Sequence, residues 1–479
     1  MRIKLKLHTI FQFLIISIFL MACAKAPERI QPQVNIPEKF SQSGESVLQD
    51  KWWQAFNDPE LNDLVDIALD KNFSLKAAWS RLEQANAVAT QESSWLYPQL
   101  NANGNLNRAD GNGPRFNTTV SSVNLVASYE LDLWGKVRSA AQAAQFDVLA
   151  SQAQVKVAAI TLSANLASNW FALVEQRGQL DVLNEQIKIN SRVLNLIELR
   201  FRQGQSSAAD VLRQKQLLEQ TVGNITLVKA QIDVLSHQVA ILTGREPTVK
   251  LPDQQTLSQT PGIPKTGIPS MVLMQRPDVQ AAFHNIQAAD LRIAVAIAEQ
   301  FPNINLAASL NTVADNPSAL FSDWFGSLVA QFTAPIFNAG RLSAEVDRTR
   351  AVLSEQLANY QDVVLTALQE IEDALSQYNQ QIKRIDSIDK QLAISNQVVK
   401  RLNARYIQGS TAYLDVMDAL ISQQSLAREQ LTARVNLTNY YINLSVALAG
   451  GWALNQPTLF DVSSEGEIQG GKYEKDSPK

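Results

Sequence analysis

VNLVASYELDLWGK, residues 123–136, sets two kinds of structure side by side. Val123, Leu125, Ala127, Tyr129, Leu131 and Leu133 alternate with Asn124, Ser128, Glu130 and Asp132, and Val126 is the one exception. Alternation of this kind marks a strand with one apolar and one polar face. It stops at Gly135, and no proline follows until Pro247. The intervening region is rich in Ala, Leu, Gln and Glu, all good helix formers. Within it Leu180, Leu183, Ile187, Leu194, Ile197 and Phe201 recur at coiled-coil spacing, and Gly204 interrupts them before an apolar-periodic helix resumes. The region therefore reads as a helical hairpin with its tip near 203–209. An arm such as Ser139–Arg202 spans about 95 Å at 1.5 Å per residue, far more than a globular domain.

The same pattern occurs twice. Gly135-Lys136 recurs as Gly340-Arg341, Gln203-Gly204 as Gln408-Gly409, and Asp210-Val211 as Asp415-Val416, each pair 205 positions apart. Trp95-Leu96-Tyr97-Pro98 corresponds to Glu299-Gln300-Phe301-Pro302, and Ala77-Ala78 to Ala281-Ala282, both 204 apart. Ile385, Ile388, Leu392, Val399, Leu402 and Tyr406 repeat the apolar stripe, placing a second tip near 408–414. The chain is a tandem duplication. The first repeat is placed at 57–247, a Pro- and Gly-containing linker at 248–269, and the second repeat at 270–456. A moderate helix opens each half, over 58–94 and 276–299.

Composition removes several functional classes. The 479 residues carry 42 Lys+Arg against 46 Asp+Glu, a net charge of −4, which gives no electrostatic footprint for nucleic acid. One cysteine excludes an internal disulfide and every multi-cysteine metal site. The three histidines, His8, His237 and His284, are scattered, and no nucleophile–base pairing, metal spacing or phosphate loop points to an enzyme.

The N-terminus is a separate segment. Arg2, Lys4 and Lys6 precede an almost wholly apolar run from Ile10 to Ala22, the pattern of a secretory signal over 1–22. Leu20-Met21-Ala22-Cys23 resembles the bacterial lipobox, in which the cysteine becomes the mature N-terminus and carries lipid. Ala24 resembles the outer-membrane sorting choice. Cys23 is thus the expected lipidation site, residues 23–56 a lipid-anchored strap, and 457–479 a tail rich in Gly, Ser and charge.

Each half contains one strand hairpin: runs near 100–106 and 123–133, then 304–310 and 326–332, joined by polar connections at 108–117 and 315–323. Runs of about 9–14 residues suit tilted transmembrane strands. Trp95, Tyr97, Trp134, Phe301, Trp324 and Phe337 flank them like the girdles of outer-membrane barrels. Four strands cannot close a pore, and lipid tolerates no open edge, so several chains must pool them. Two chains supply about 8 strands, a lumen filled by side chains, and three supply about 12, which favours three. No stretch after residue 23 is expected to be apolar enough for a spanning helix.

The chain resembles outer-membrane factors of the TolC family, in particular their OprM/NodT lipoprotein branch. The resemblance rests on Trp52-Trp53-Gln54-Ala55-Phe56-Asn57-Asp58-Pro59-Glu60-Leu61, Asp132-Leu133-Trp134-Gly135-Lys136, Gln275-Arg276-Pro277-Asp278-Val279 and Pro335-Ile336-Phe337-Asn338-Ala339-Gly340-Arg341. It implies a mainly α protomer with a membrane β-barrel: a homotrimer with a 12-stranded barrel continued by a periplasmic helical barrel. It also implies an exit duct that does no chemistry, has no cofactor beyond the lipid on Cys23, and works with a periplasmic membrane-fusion adaptor and an inner-membrane pump of RND type. Asp415 and Asp418 match positions of acidic rings at the periplasmic constriction, and Tyr406 a tyrosine that helps lock the closed state. Gly204 and Gly409 lie in the tips that meet the adaptor.

Other readings of these residues stay open. Asp210 is the fourth gate candidate, but it also belongs to Ser207-Ala208-Ala209-Asp210, which reads as a capping box, whereas Ala412 stands where that serine would be before Asp415. Tyr406 also fits simple packing. Thr411 stands where some family members carry an arginine of the gate lock. For the whole chain, the alternatives are a lipid-anchored periplasmic coiled-coil module or the duct of a type I secretion system.

Overall fold

The computed structural model describes residues 35–45, 51–109, 118–315 and 317–448. Cys23 with its leader, the loop residues 110–117 with Gly111 and Gly113, and the chain from 449 onward lie outside the described residues.

The opening helix of the first half divides in two, α1 (Pro59–Lys71) and α2 (Phe73–Ser94), where the sequence reads as one. Asn72 is the cause: its backbone is extended, its N–H closes α1 on Ala68 O, and its side chain accepts from Leu75 N to start α2. Then follow β1 (Gln99–Ala109), β2 (Thr118–Leu131), the 67-residue α3 (Lys136–Arg202) and α4 (Ala208–Leu242). The second half repeats this as α5 (Pro269–Gln275), α6 (Pro277–Ala298), β3 (Asn303–Ala314), β4 (Phe325–Thr333), the 67-residue α7 (Arg341–Ile407) and α8 (Tyr413–Leu448). At 1.5 Å per residue each long helix measures about 100 Å.

The four strands form one antiparallel meander, β1-β2-β3-β4. Its register keeps the two faces apart across every strand. Leu100 opposes Ala127, Leu125 opposes Leu310, and Leu306 opposes Ala330 on one face. Asn103–Asn124–Asn311 runs across the other. β1 and β4 are edges.

Strand passes to helix at two matched corners. Gly135 (φ 75°) and Gly340 (φ 82°) adopt left-handed backbone just before α3 and α7, a conformation that strains any residue with a Cβ. Lacking a side chain, Gly135 leaves capping to Asp132, whose carboxylate accepts from Val137 N at 3.1 Å and Arg138 N at 3.0 Å. Trp134 stacks on Phe301 with centroids 4.9 Å apart and donates to Pro302 O at 2.6 Å, tying the first corner to the entry of β3.

The main core lies midway along the helices, where Trp52, Trp53 and Phe56 pack with α1 against Phe171 and Tyr441. Both tryptophans are fully buried. At its centre is Asp58, 1 % exposed, which caps α1 by accepting from Leu61 N at 3.1 Å. It also accepts from Trp170 Nε1 (3.1 Å), Gln254 Nε2 (3.0 Å) and Ser258 Oγ (3.1 Å), joining the first helix, α3 and the linker.

Contrary to the expectation from the sequence, α3 and α4 each contain an 18-residue window apolar enough for a membrane span by length and composition. In α3, 56 % of that window is buried within the protein, so its apolar character serves the core. In α4 only 17 % is buried, and Val222, Leu227, Val234 and Ile241 are exposed.

Candidate functional site: the hairpin tips

Both helical hairpins end in tight turns, at 203–207 and 408–412. Gly204 (φ 69°) and Gly409 (φ 72°) are left-handed there. A Cβ on either would meet nothing within 4 Å, so backbone conformation and not crowding requires glycine.

Asp210 completes a capping box: Asp210 N donates to Ser207 Oγ at 3.2 Å while Ser207 N donates to Asp210 Oδ2 at 3.1 Å. Its carboxylate also accepts from Ser206 Oγ at 3.2 Å and lies 3.7 Å from Arg213 Nη1. The corresponding Asp415 is held differently. Ala412 has no capping group, but Thr411 Oγ1 donates to Asp415 Oδ2 at 2.6 Å. Thr411 thus orients the carboxylate without bringing a positive charge to it. Asp415 and Asp418 are both exposed, and three residues apart on α8 they share one helix face. Asp418 has no hydrogen bond or ion pair among the described residues.

Tyr406 is 6 % exposed and bridges the two tips, donating to Ser206 Oγ at 3.3 Å. Arg200 lies over its ring at 4.8 Å and donates from Nη1 to Ile407 O at 3.2 Å. Tyr413, 5.5 Å away between centroids, is buried and donates to Gln214 Oε1. Burial, then the neighbouring Tyr406 and Asp210, push the Tyr413 phenol well above its ordinary range. A phenol whose pKa rises on folding adds stability that is complete below about pH 10 and lost as pH climbs further. Alkaline titration followed at the phenolate absorbance is expected to show Tyr413 ionising after the exposed tyrosines, with the half-buried Tyr360 and the buried Tyr378 and Tyr441, and a Tyr413→Phe variant is expected to lose one phenol from that late phase. Tyr413 ionising with the exposed tyrosines would mean the tip cluster is open to water.

Above the tips, the seams that α3 makes with α4 and α8 are polar. Gln214 Nε2 donates to Asn190 O at 2.8 Å, and Asn190 Nδ2 to Thr221 Oγ1 at 3.1 Å. Gln424 Nε2 donates to Asn190 Oδ1 at 2.9 Å. The chain continues through Gln186 Nε2 to Gln424 O (3.0 Å), Arg428 Nη1 to Gln186 Oε1 (2.8 Å), Gln179 Nε2 to Arg428 O (2.9 Å) and Thr432 Oγ1 to Glu175 Oε1 (2.6 Å). These buried amides were not among the residues singled out from the sequence. Of the stripe read there, Leu183 and Ile197 are buried, Leu180, Ile187 and Leu194 are half-buried, and Phe201 is exposed. Here α3 packs on both α4 and α8, so the buried seam includes the intervening Gln179, Gln186 and Asn190. Their 3–4 and 7 spacing was the available signal.

The described residues contain no group of three or more His, Cys, Asp or Glu that could hold a metal. The tips offer exposed carboxylates, a two-tyrosine bridge and an open cleft of about 620 Å³ lined by Arg200, Ser206, Asp210, Tyr406, Thr411 and Tyr413. Such an arrangement can regulate a passage, and nothing in it resembles catalytic machinery.

Comparison with known proteins agrees with this architecture. Residues 64–245 and again 268–450 match the outer membrane efflux protein family. Among curated relatives, the pyoverdine export outer membrane protein OpmQ of Pseudomonas aeruginosa is 30 % identical over 92 % of this chain and 97 % of its own. The cation efflux system protein CusC of Escherichia coli K12 is 28 % identical over 91 % of this chain and 98 % of its own. The open-state MtrE outer membrane channel of Neisseria gonorrhoeae superposes with a TM-score of 0.80 at 28 % identity, covering 90 % of this chain and 98 % of that one. Two matches to one family, one per repeat, together with full-length likeness in sequence and fold, establish that the chain belongs to the outer membrane efflux protein family.

Proposed function

We propose that this protein is the outer-membrane exit duct of a tripartite efflux system, a passive conduit assembled from three copies. The observation that carries this reading is a four-stranded sheet with one apolar and one Asn-rich face, edged by β1 and β4, standing on helices about 100 Å long. A sheet with free edges is not tolerated in lipid, and three copies together close a 12-stranded wall with a polar lumen. The exposed apolar side of α4 likewise needs covering, which neighbouring copies supply. The helical part then forms the periplasmic tube, and its tips, with Gly204 and Gly409 at the turns, face a periplasmic adaptor and an inner-membrane pump of RND type. Cys23 is the lipid anchor. The relatives' names specify different cargoes, a cation and pyoverdine, so cargo choice is assigned to the pump.

Asp415 and Asp418 are the proposed gate charges, six carboxylates around a three-fold constriction, with Tyr406 holding the tips together. Asp210, engaged in its capping box and 3.7 Å from Arg213, is the secondary gate candidate beside that ring. Native mass in detergent should correspond to three subunits with acyl mass on Cys23. A monomer would return the lipid-anchored coiled-coil module as the leading reading. In planar bilayers, Asp415→Ala with Asp418→Ala is expected to raise single-channel conductance about two- to threefold and to weaken block by divalent cations about tenfold, a loss of roughly 1.4 kcal/mol of binding. Unchanged conductance and block would remove the acidic gate and leave the conduit standing.

A further inference from the structure

β1 and β4 have no outer strand partner among the described residues, although each carries the backbone groups to accept one. The duplication indicates how these edges meet. Gln99 opposes Ser128 in the first half, and Asn303 opposes Thr333 in the second. These are one pair displaced by 204 and 205 residues, the same offsets that relate the two halves in the sequence. Within the chain, the end of the first half already pairs with the start of the second: Ser128 opposes Ala307 and Val126 opposes Ser309. The end of the second half stands in the same relation to the start of the first half of another copy.

Resting on the three-copy reading above, we propose that β4 of one protomer pairs antiparallel with β1 of the next in the register the β2–β3 pair dictates. Thr333 then opposes the partner's Asn103, Gln331 the partner's Asn105, and Val329 the partner's Asn107. On the other face Phe332 opposes the partner's Gly104, and Ala330 the partner's Leu106.

Three features agree with this register without having been used to obtain it. It joins the apolar face to the apolar face and the Asn-rich face to the polar one, which any slip by a single residue would reverse. It sets Phe332, 66 % exposed, across from Gly104, around which a Cβ would find nothing within 4 Å. An aromatic ring laid over a strand glycine is a known device for fixing register at an edge. It also brings Ile336, 92 % exposed, beside the partner's Leu100, itself 66 % exposed in the single chain. Two widely exposed apolar side chains at that end of the sheet thereby cover each other.

Directly opposed residues of an antiparallel pair lie about 4.5–5.5 Å apart between Cα atoms, within disulfide range, whereas diagonal neighbours lie about 7–8 Å apart. The test uses full-length chains carrying Gln331→Cys with Asn105→Cys, or Val329→Cys with Asn107→Cys, oxidised in outer membranes. Off-register controls carry Gln331→Cys with Asn103→Cys or with Asn107→Cys. Both matched pairs are expected to give a covalent trimer on denaturing gels at least tenfold faster than the controls. Faster cross-linking of an off-register pair, or failure of both matched pairs in a protein of trimeric native mass, overturns the register. A monomeric native mass with no cross-link overturns the three-copy reading and the register with it.

Discussion

Replacing Asp58 with alanine is expected to destabilise the protein by about 4 kcal/mol per protomer, the largest single-residue effect outside the apolar core. The carboxylate is 1 % exposed and accepts four hydrogen bonds, none from a charged side chain. Alanine removes the cap of α1, a loss of about 1 kcal/mol. It also leaves the fully buried indole N–H of Trp170 without an acceptor, at about 1–3 kcal/mol, and removes a partner from Ser258, while Gln254 Nε2 keeps Thr256 O at 3.0 Å. Asp58→Asn keeps the shape but turns an N–H₂ toward three donors, so an intermediate loss of about 2 kcal/mol is expected. Chemical denaturation of the purified protein measures both. An Asp58→Ala midpoint within error of wild type would mean that α1, α3 and the linker are held by packing alone.

The second large effect concerns the polar seam. Asn190 is fully buried and Gln424 is 5 % exposed. Asn190→Leu strands the side-chain amide of Gln424, and Gln424→Leu strands Asn190 Oδ1 while Nδ2 keeps Thr221 Oγ1, so each single change is expected to cost about 1–3 kcal/mol. The double variant leaves little behind. Thr221 Oγ1 already donates to Leu217 O at 2.8 Å, and Gln186 reaches the backbone oxygen of residue 424, which survives substitution. It is therefore expected to recover to within about 1 kcal/mol of wild type, a coupling of several kcal/mol between the two sites. Simple additivity in the same denaturation experiment would show that the amides do not act as a pair. Seams of this kind exchange stability for register, because a one-turn slide of α3 along α8 would bury several amides without partners.

The strands and long hairpins were legible because their periods, two and three-to-four, recur over many residues around Gly135 and Gly340, with few breaks such as Val126. The repeat made each half a check on the other. The break at Asn72 was not legible, since a residue that ends one helix and starts the next leaves the apolar spacing on both sides intact. Asp210 could be recognised as a cap from four consecutive residues, since a capping box is local. The hydrogen bond from Thr411 to Asp415 could not, because it needs the turn geometry that brings residue 411 over the first turn of α8. The amide seam was hidden for a related reason: Gln and Asn normally mark a solvated face, and only a third helix arriving from the other repeat makes that face an interior.

α3 and α7 have the same length, 67 residues, although they share few side chains. Seven residues added to one arm would carry its turn about 10 Å past the other and split what is now a level rim into two steps. Only a matching addition in the other arm would restore it. Changes of length in this architecture must therefore arrive in pairs, half a gene apart, so that the duplication which built the molecule still governs how it can grow.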